Sequence, residues 1–197
     1  MPPARLHGLF SVRTRLLAAV AKWATTDESR PFLERVLFDG KHIVATDGHR
    51  IVAVPCETDV PPFTVHRVDC AILAAAQREI GHKRHADSVF VTVSDGKAAI
   101  DIDEGRRVLT VKVHDAKDFP PWEVLFGELK AESAEPPSFA FEPRYLAGID
   151  EVLEAVDGSC QRTATVKAWS SGKFIGPMLF EGEGIRFLIM PKRTSQP

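Results

Sequence analysis

Hydrophobic positions along this chain follow one plan three times over. Each copy opens with a short alternating run, Leu6-His7-Gly8-Leu9-Phe10, Pro62-Phe63-Thr64-Val65 and Ser138-Phe139-Ala140-Phe141. A stretch with apolar residues every three to four positions follows, and then three more alternating runs. A period of two reads as a half-buried strand and a period near 3.6 as a helix with one apolar face. The pattern predicts helices at about Val12–Thr25, Val68–Ile80 and Pro143–Val156. Their expected core stripes are Val12, Leu16, Leu17, Val20 and Ala24; then Val68, Ile72, Ala76 and Ile80; then Tyr145, Ile149, Val152, Leu153 and Val156. Among the strands, Val89, Val91 and Val93 alternate with Thr92 and Ser94, and Leu109, Val111 and Val113 repeat the pattern.

A Gly-Lys turn marks a hairpin after each helix: Asp39-Gly40-Lys41, Asp95-Gly96-Lys97 and Ser171-Gly172-Lys173. Glycine tolerates the positive φ that tight hairpins need. The first two turns lie 56 residues apart and the last two 76. The surplus falls in Glu123–Pro137, rich in Glu and carrying Pro, which reads as a linker. The expectation is an α+β fold of three strand-helix-three-strand repeats, antiparallel sheets with helices on one face. Residues 1–122 would form a complete two-repeat domain, 123–137 a linker and 138–197 a half-domain.

Composition narrows the function classes. The chain has 197 residues, 25 Lys plus Arg and 27 Asp plus Glu, for a net charge of -2. A uniformly basic coat for nucleic acid is excluded, so any DNA contact needs charge segregated onto one face. Arg15 and Lys22 lie seven apart on the first helix, and Arg67 and Arg78 eleven apart on the second. Both spacings are near whole turns, so each pair shares a face, either toward phosphates or simply toward solvent. The corresponding residues of the third helix, Arg144, Glu151 and Glu154, are mostly acidic. Three scattered cysteines, Cys56, Cys70 and Cys160, fit a reducing cytoplasm and no disulfide framework. The longest purely apolar run, Leu16–Ala21, is far short of a membrane span, so no membrane partner is expected.

Several segments resemble the bacterial sliding clamp family, the DNA polymerase III beta subunit. Ser29-Arg30-Pro31-Phe32-Leu33-Glu34-Arg35-Val36-Leu37-Phe38 and Ile43-Val44-Ala45-Thr46-Asp47-Gly48-His49-Arg50-Ile51 resemble its middle domain. Phe119-Pro120-Pro121-Trp122 resembles the segment that closes that domain. Phe139-Ala140-Phe141-Glu142-Pro143-Arg144-Tyr145-Leu146 resembles the opening of the last half-domain, and Phe187-Leu188-Ile189-Met190-Pro191-Lys192-Arg193 the family's C-terminal segment. The matches run in the family's order, but the chain is about half a clamp subunit, and Lys192 stands where the family usually has Met.

The resemblance implies a non-enzymatic processivity factor that surrounds duplex DNA without reading its sequence, with Arg15, Lys22, Arg67 and Arg78 toward phosphates. It also implies a groove for the clamp-binding peptides of DNA polymerases or repair proteins. One wall would be Thr46, Gly48, His49, Arg50 and Ile51, and the other Leu188, Ile189, Met190, Pro191 and Arg193. On the residues alone, Asp47-Gly48 reads as a hairpin turn and Ile189-Met190-Pro191 as a buried last strand; the ordered resemblance is what turns them into groove walls. A clamp-like adaptor that binds such peptides without encircling DNA is the alternative.

Enzyme signals are poor. His82 and His85 could share a metal, but Lys83 and Arg84 between them oppose a cation, so the segment reads as a basic helix end. Asp101, Asp103 and Glu104 read as a charged hairpin end. No catalytic residue, cofactor or metal is called for. Three repeats per chain leave one repeat without its mate, so a homo-oligomer is expected, a dimer or tetramer. Its simplest form pairs two third repeats across a two-fold axis, and two such dimers would close a ring of twelve repeats.

Overall fold

The computed structural model describes residues 7–84, 88–101, 108–127, 143–146, 148–157, 167–170, 177–182 and 184–190. The first repeat holds β1 (His7–Arg13), α1 (Thr14–Ala21), β2 (Arg35–Phe38), β3 (His42–Thr46) and β4 (Arg50–Pro55). The second holds β5 (Phe63–His66), α2 (Arg67–Arg84), β6 (Ser88–Ser94), β7 (Lys97–Asp101) and β8 (Val108–Asp115). A short helix α3 (Trp122–Gly127) follows. The third repeat contributes α4 (Pro143–Leu146), α5 (Ile149–Asp157), β9 (Lys167–Ser170), β10 (Met178–Gly182) and β11 (Ile185–Ile189). The third opening run, at 138–141, and the Ser171-Gly172-Lys173 turn lie outside the described residues, as do Asp103 and Glu104.

The strands form one antiparallel sheet in the order β1-β6-β7-β8-β5-β2-β3-β4-β11-β10-β9. The first two repeats exchange opening strands: β1 pairs with β6, and β5 with β2. A shift of 56 residues relates the partners of β3–β4 to those of β7–β8 (Ala45 with Val52, Asp101 with Val108), whereas β2–β3 and β6–β7 differ in register (Leu37 with Val44, Val91 with Ile100) and α1 and α2 begin 53 residues apart, at Thr14 and Arg67. Gly40 and Gly96 both sit at positive φ, 101° and 75°, as the two turns require.

Alternation along the strands builds two cores, one on each face of the sheet. Val36, Phe38, Ile43, Ala45, Val52 and Val54 point toward the helices and join Leu17, Val20, Trp23, Leu73, Val152 and Phe187 in one cluster. That cluster runs without a break from the first repeat into the third, where Trp23 meets Phe187 at 5.4 Å between ring centroids. Leu37, Val44, Ile51 and Ala53 point the other way, with Leu179 and Leu188 of the third repeat. Phe119 and Trp122 cover them, so the Phe-Pro-Pro-Trp segment is packed structure and the residues expected to begin a linker at Glu123 continue as helix α3.

Three helix expectations change. Strand β1 persists to Arg13, and α1 ends at Ala21 rather than Thr25. The five expected core positions, Val12, Leu16, Leu17, Val20 and Ala24, are all buried, although Val12 lies on β1 and Ala24 beyond the end of α1. On α2 the first half of the expected stripe is wrong: Val68 and Ile72 are each 45% exposed, and Cys70, Leu73 and Ala74 are buried, while the side chains of Ala76 and Ile80 lie outside the described residues. Both faces of this helix are apolar, so periodicity alone could not choose between them. The third helix is broken in two at Gly148, whose φ of +91° ends the α4 turn. Val152 and Leu153 are buried as expected, whereas Tyr145 turns away toward the first repeat.

Candidate functional site

The hairpin between β3 and β4 is held by its own side chains. The Asp47 carboxylate accepts hydrogen bonds from the backbone N–H groups of His49 (2.9 Å) and Arg50 (3.0 Å). The Thr46 hydroxyl donates to the Arg50 carbonyl and accepts from the Gly48 N–H. Short polar side chains commonly fold back onto the backbone this way and set a turn. Gly48 has φ +88°, and a Cβ there would come within 3.0 Å of an Arg30 guanidinium nitrogen. A side chain at this position is both strained and crowded.

Strand β11 docks on this hairpin. Ile51 faces Leu188 and Arg50 faces Ile189 across the β4–β11 ladder. One residue further on, the Met190 N–H donates to the His49 carbonyl at 2.9 Å. The two segments marked as opposite walls of a groove are therefore adjacent, although they are more than a hundred residues apart in sequence. Their exposure differs, however. Thr46, Ile51, Leu188 and Ile189 are buried and line no cleft among the described residues, while Gly48, His49 and Met190 are exposed. Pro191 and Arg193 lie outside the described residues.

Arg50 is a strut. Its Nε reaches the Asp47 carboxylate at 3.1 Å, an Nη donates to the Lys22 carbonyl, and the guanidinium lies 4.5 Å from the Trp23 ring centroid. Held on three sides, it fixes the hairpin against the C-terminal end of α1. His49 points outward and stacks on Tyr145, 5.5 Å between centroids with planes 9° apart. A cleft of about 420 Å³ opens beside this pair, lined by Thr25, Asp27, Arg30, Asp47, His49, Arg50 and Tyr145. Hydrogen bonds from the Ser29 hydroxyl and N–H hold the Asp27 carboxyl below the usual carboxylate range. The cleft thus offers carboxylates, guanidinium groups, an imidazole and a phenol ring, and Met190 supplies a flexible apolar surface at the adjoining strand end.

Tyr145, Asp27 and Arg30 were not assigned to the site by sequence. Tyr145 is the only tyrosine of the chain and fell at a stripe position, so it counted as core. A usable signal was its place just before Gly148, where the helix breaks. Asp27 and Arg30 flank a turn whose contact with the hairpin is purely tertiary.

The helix cations fare unevenly. Arg15 is exposed. Lys22 forms an ion pair with Glu151 of α5, so the acidic third helix partly neutralises the basic face of the first. Arg67 is half-buried, and its Nε has no hydrogen-bond partner among the described residues. Arg78 lies on α2, with its side chain outside the described residues. Among the described residues no group of three or more His, Cys, Asp or Glu could hold a metal, and no helix is long and apolar enough to cross a membrane. Of the two histidines weighed as metal ligands, His85 and the side chain of His82 lie outside them. Burial raises the Cys56 thiol to about 11, and the fully buried Cys70 thiol is raised further.

Paired strand-helix-three-strand units, with helices on one face of a continuous antiparallel sheet, define the DNA-clamp architecture. Among solved structures, the chain is similar to the DNA polymerase III beta subunit of Thermotoga maritima, with a TM-score of 0.67 at 12% identity over 97% of this chain and 66% of that one. It is also similar to the sliding clamp of Bartonella birtlesii bound to griselimycin (TM-score 0.67, 17% identity, 98% and 68% covered) and to that of Bacillus subtilis (0.59, 17%, 95% and 65%). No family model and no curated protein matches the sequence. The chain has the sliding-clamp fold in a shortened form, spanning about two thirds of the length of the clamps it resembles.

Proposed function

We propose that this chain is a non-enzymatic, clamp-like cytoplasmic protein of DNA replication or repair, which captures a partner's peptide beside the β3–β4 hairpin. The observation that carries the reading is the Met190–His49 backbone hydrogen bond, which brings the C-terminal strand end to an exposed histidine next to an open cleft. A peptide lying there would place an apolar anchor against Met190 and polar groups toward His49, Arg30 and Asp27. Residues 1–122 act as a complete clamp domain and 138–197 as a half-domain that completes the groove. Binding of a fluorescent clamp-binding peptide from a DNA polymerase tests this. His49→Ala or Met190→Ala is expected to weaken it by ~1–3 kcal/mol each, the range of interface anchors. Undiminished binding by the double variant overturns the reading.

In the assembled homo-oligomer the chain would surround duplex DNA as a processivity factor, with Arg15, Lys22, Arg67 and Arg78 near the backbone. Such contacts are independent of sequence and weaken steeply with salt. The Lys22–Glu151 pair and the half-buried Arg67 favour a second reading, an adaptor that holds the same peptides without encircling DNA. Retention on closed circular DNA, lost on linearisation, supports the ring; no DNA affinity even at low salt leaves the adaptor.

A further inference from the structure

The face of the sheet turned away from the helices is covered in one repeat and bare in the next. In the first repeat Leu37, Val44, Ile51 and Ala53 lie on that face, packed with Phe119 and Trp122. In the second repeat Val91, Val93, Ala98, Val111 and Val113 join the helix-side core, so their strand neighbours point the other way. On that side Phe90 is 68% exposed and Val108 56%, and Leu9, beside buried Phe10 on β1, is 57% exposed.

Register sorts this bare face into three rows. Leu9, Thr92, Ala99 and Thr110 stand level across β1, β6, β7 and β8. Two residues along the strands on one side lie Phe90 and Val108, with Asp101 between them by register and its side chain outside the described residues. Two residues along on the other side lie Ser94, Lys97 and Lys112, and the two lysines are direct cross-strand partners. One further step along the β5–β8 ladder brings His66 level with Lys112, and Arg35 faces His66. Like charges set opposite each other on one face repel. Glu34 meets His66 at 3.5 Å, but Arg35, Lys97 and Lys112 form no ion pair among the described residues. Behind burial, the charges of Arg35, Lys112 and His66 all lower the imidazole of His114 on the same face, against Asp69. The row is thus a strip of positive potential beside an apolar one.

The spacing says what fits. Four residues of strand separate the cationic row from the Phe90–Val108 row, or about 13 Å. An α-helix with its side chains is roughly 10–12 Å across. It can lie along the middle row, where threonine and alanine leave room between the two flanks. Neighbouring strands are ~4.8 Å apart. Helix residues three or four positions apart rise ~4.5–6 Å, so acidic side chains at that spacing keep step with cations on successive strands. The molecule closes its other outer face in a related way, with an aromatic segment that runs into helix α3. We propose that the outer face of the second repeat docks an acidic amphipathic helix of a partner protein. Its carboxylates lie along Lys97 and Lys112 toward Arg35, and its apolar stripe covers Phe90, Val108 and Leu9. This surface is separate from the hairpin cleft, and the inference holds whether or not that cleft takes a peptide.

A fluorescent designed helix of about 20 residues, long enough to be stable alone, is the probe. It carries Glu at every third or fourth position along one side and Leu on the adjoining side. The full-length parent is expected to bind it saturably, and more weakly as salt rises. Exchanging both lysines, Lys97→Glu with Lys112→Glu, should weaken binding by roughly 100-fold, and Phe90→Ser by roughly 10-fold. These positions are exposed, so both variants should keep the circular dichroism of the parent. The His49→Ala, Met190→Ala double variant should bind the probe as the parent does, which separates this face from the cleft. The proposal is overturned by no binding at low salt, by equal binding of a peptide with the same residues scrambled, or by lysine or Phe90 variants that bind as the parent. Loss of binding in the cleft variant also overturns it. So does duplex DNA that competes the probe off this face more tightly than the unlabelled peptide, or self-association of the chain that Phe90→Ser removes, since the occupant would then be nucleic acid or a second copy.

Discussion

Helices α1 and α2 hold the same place in consecutive repeats and bury different fractions of nearly the same pattern. Leu17 of α1 and Leu73 of α2 are both buried. Leu16 and Ile72, their immediate neighbours, are not alike: one is 6% exposed and the other 45%. The difference comes from outside each repeat, since α5 lies against the flank of α1. A repeat therefore specifies the stripe that meets its own sheet, while the flanking stripe becomes core or surface according to what stands beside it.

The sharpest way to break this comparison is to truncate both flanks. Leu16→Ala is expected to cost ~2–5 kcal/mol, as for a buried leucine that leaves a cavity. Ile72→Ala should change stability by less than ~1 kcal/mol, because water already reaches the side chain. Urea denaturation of the two variants decides it, and equal losses would erase the distinction between the repeats.

A smaller effect separates them by pH. His114 lies on β8 of the second repeat, opposite Thr64 of β5. Burial, then the charges of Arg35, Lys112 and His66, hold its imidazole below its ordinary value, and Asp69 opposes them. The unfolded chain therefore takes up this proton first. The histidine's contribution is fully present above the ordinary imidazole range and is lost as pH falls through that range toward the folded value. His114→Gln should match the parent in mildly alkaline buffer and lose less stability on acidification; parallel stability–pH curves would count against this assignment.

The candidate site was legible in part. The hairpin residues announce a tight turn by chemistry, since Asp47, Gly48 and Thr46 can satisfy its backbone themselves. Resemblance singled out Met190 and the segment before it as the facing wall. The division of labour was not legible. Ile51, Leu188 and Ile189 are as apolar as any pocket wall, but they are buried, Ile51 and Leu188 in the core that Phe119, Trp122 and Leu179 complete. Nor could Arg50 be recognised as a strut, because Trp23 and the Lys22 carbonyl come from another element. Tyr145 was lost to the core stripe for the opposite reason: a broken helix redirects a residue that an unbroken one would bury.

By itself, the sequence determined what depends on neighbours a few residues away: three repeats, the turns at Gly40 and Gly96, the alternation of the strands and the inner stripe of α1. Local sterics and period act within a segment, so they leave their trace in it. The tertiary structure alone decided which flank of α2 stays open, where the third helix breaks away, and that β11 closes on β4. Those outcomes depend on apolar burial between segments far apart in the chain, and burial is set by what arrives to exclude water, which no single segment encodes.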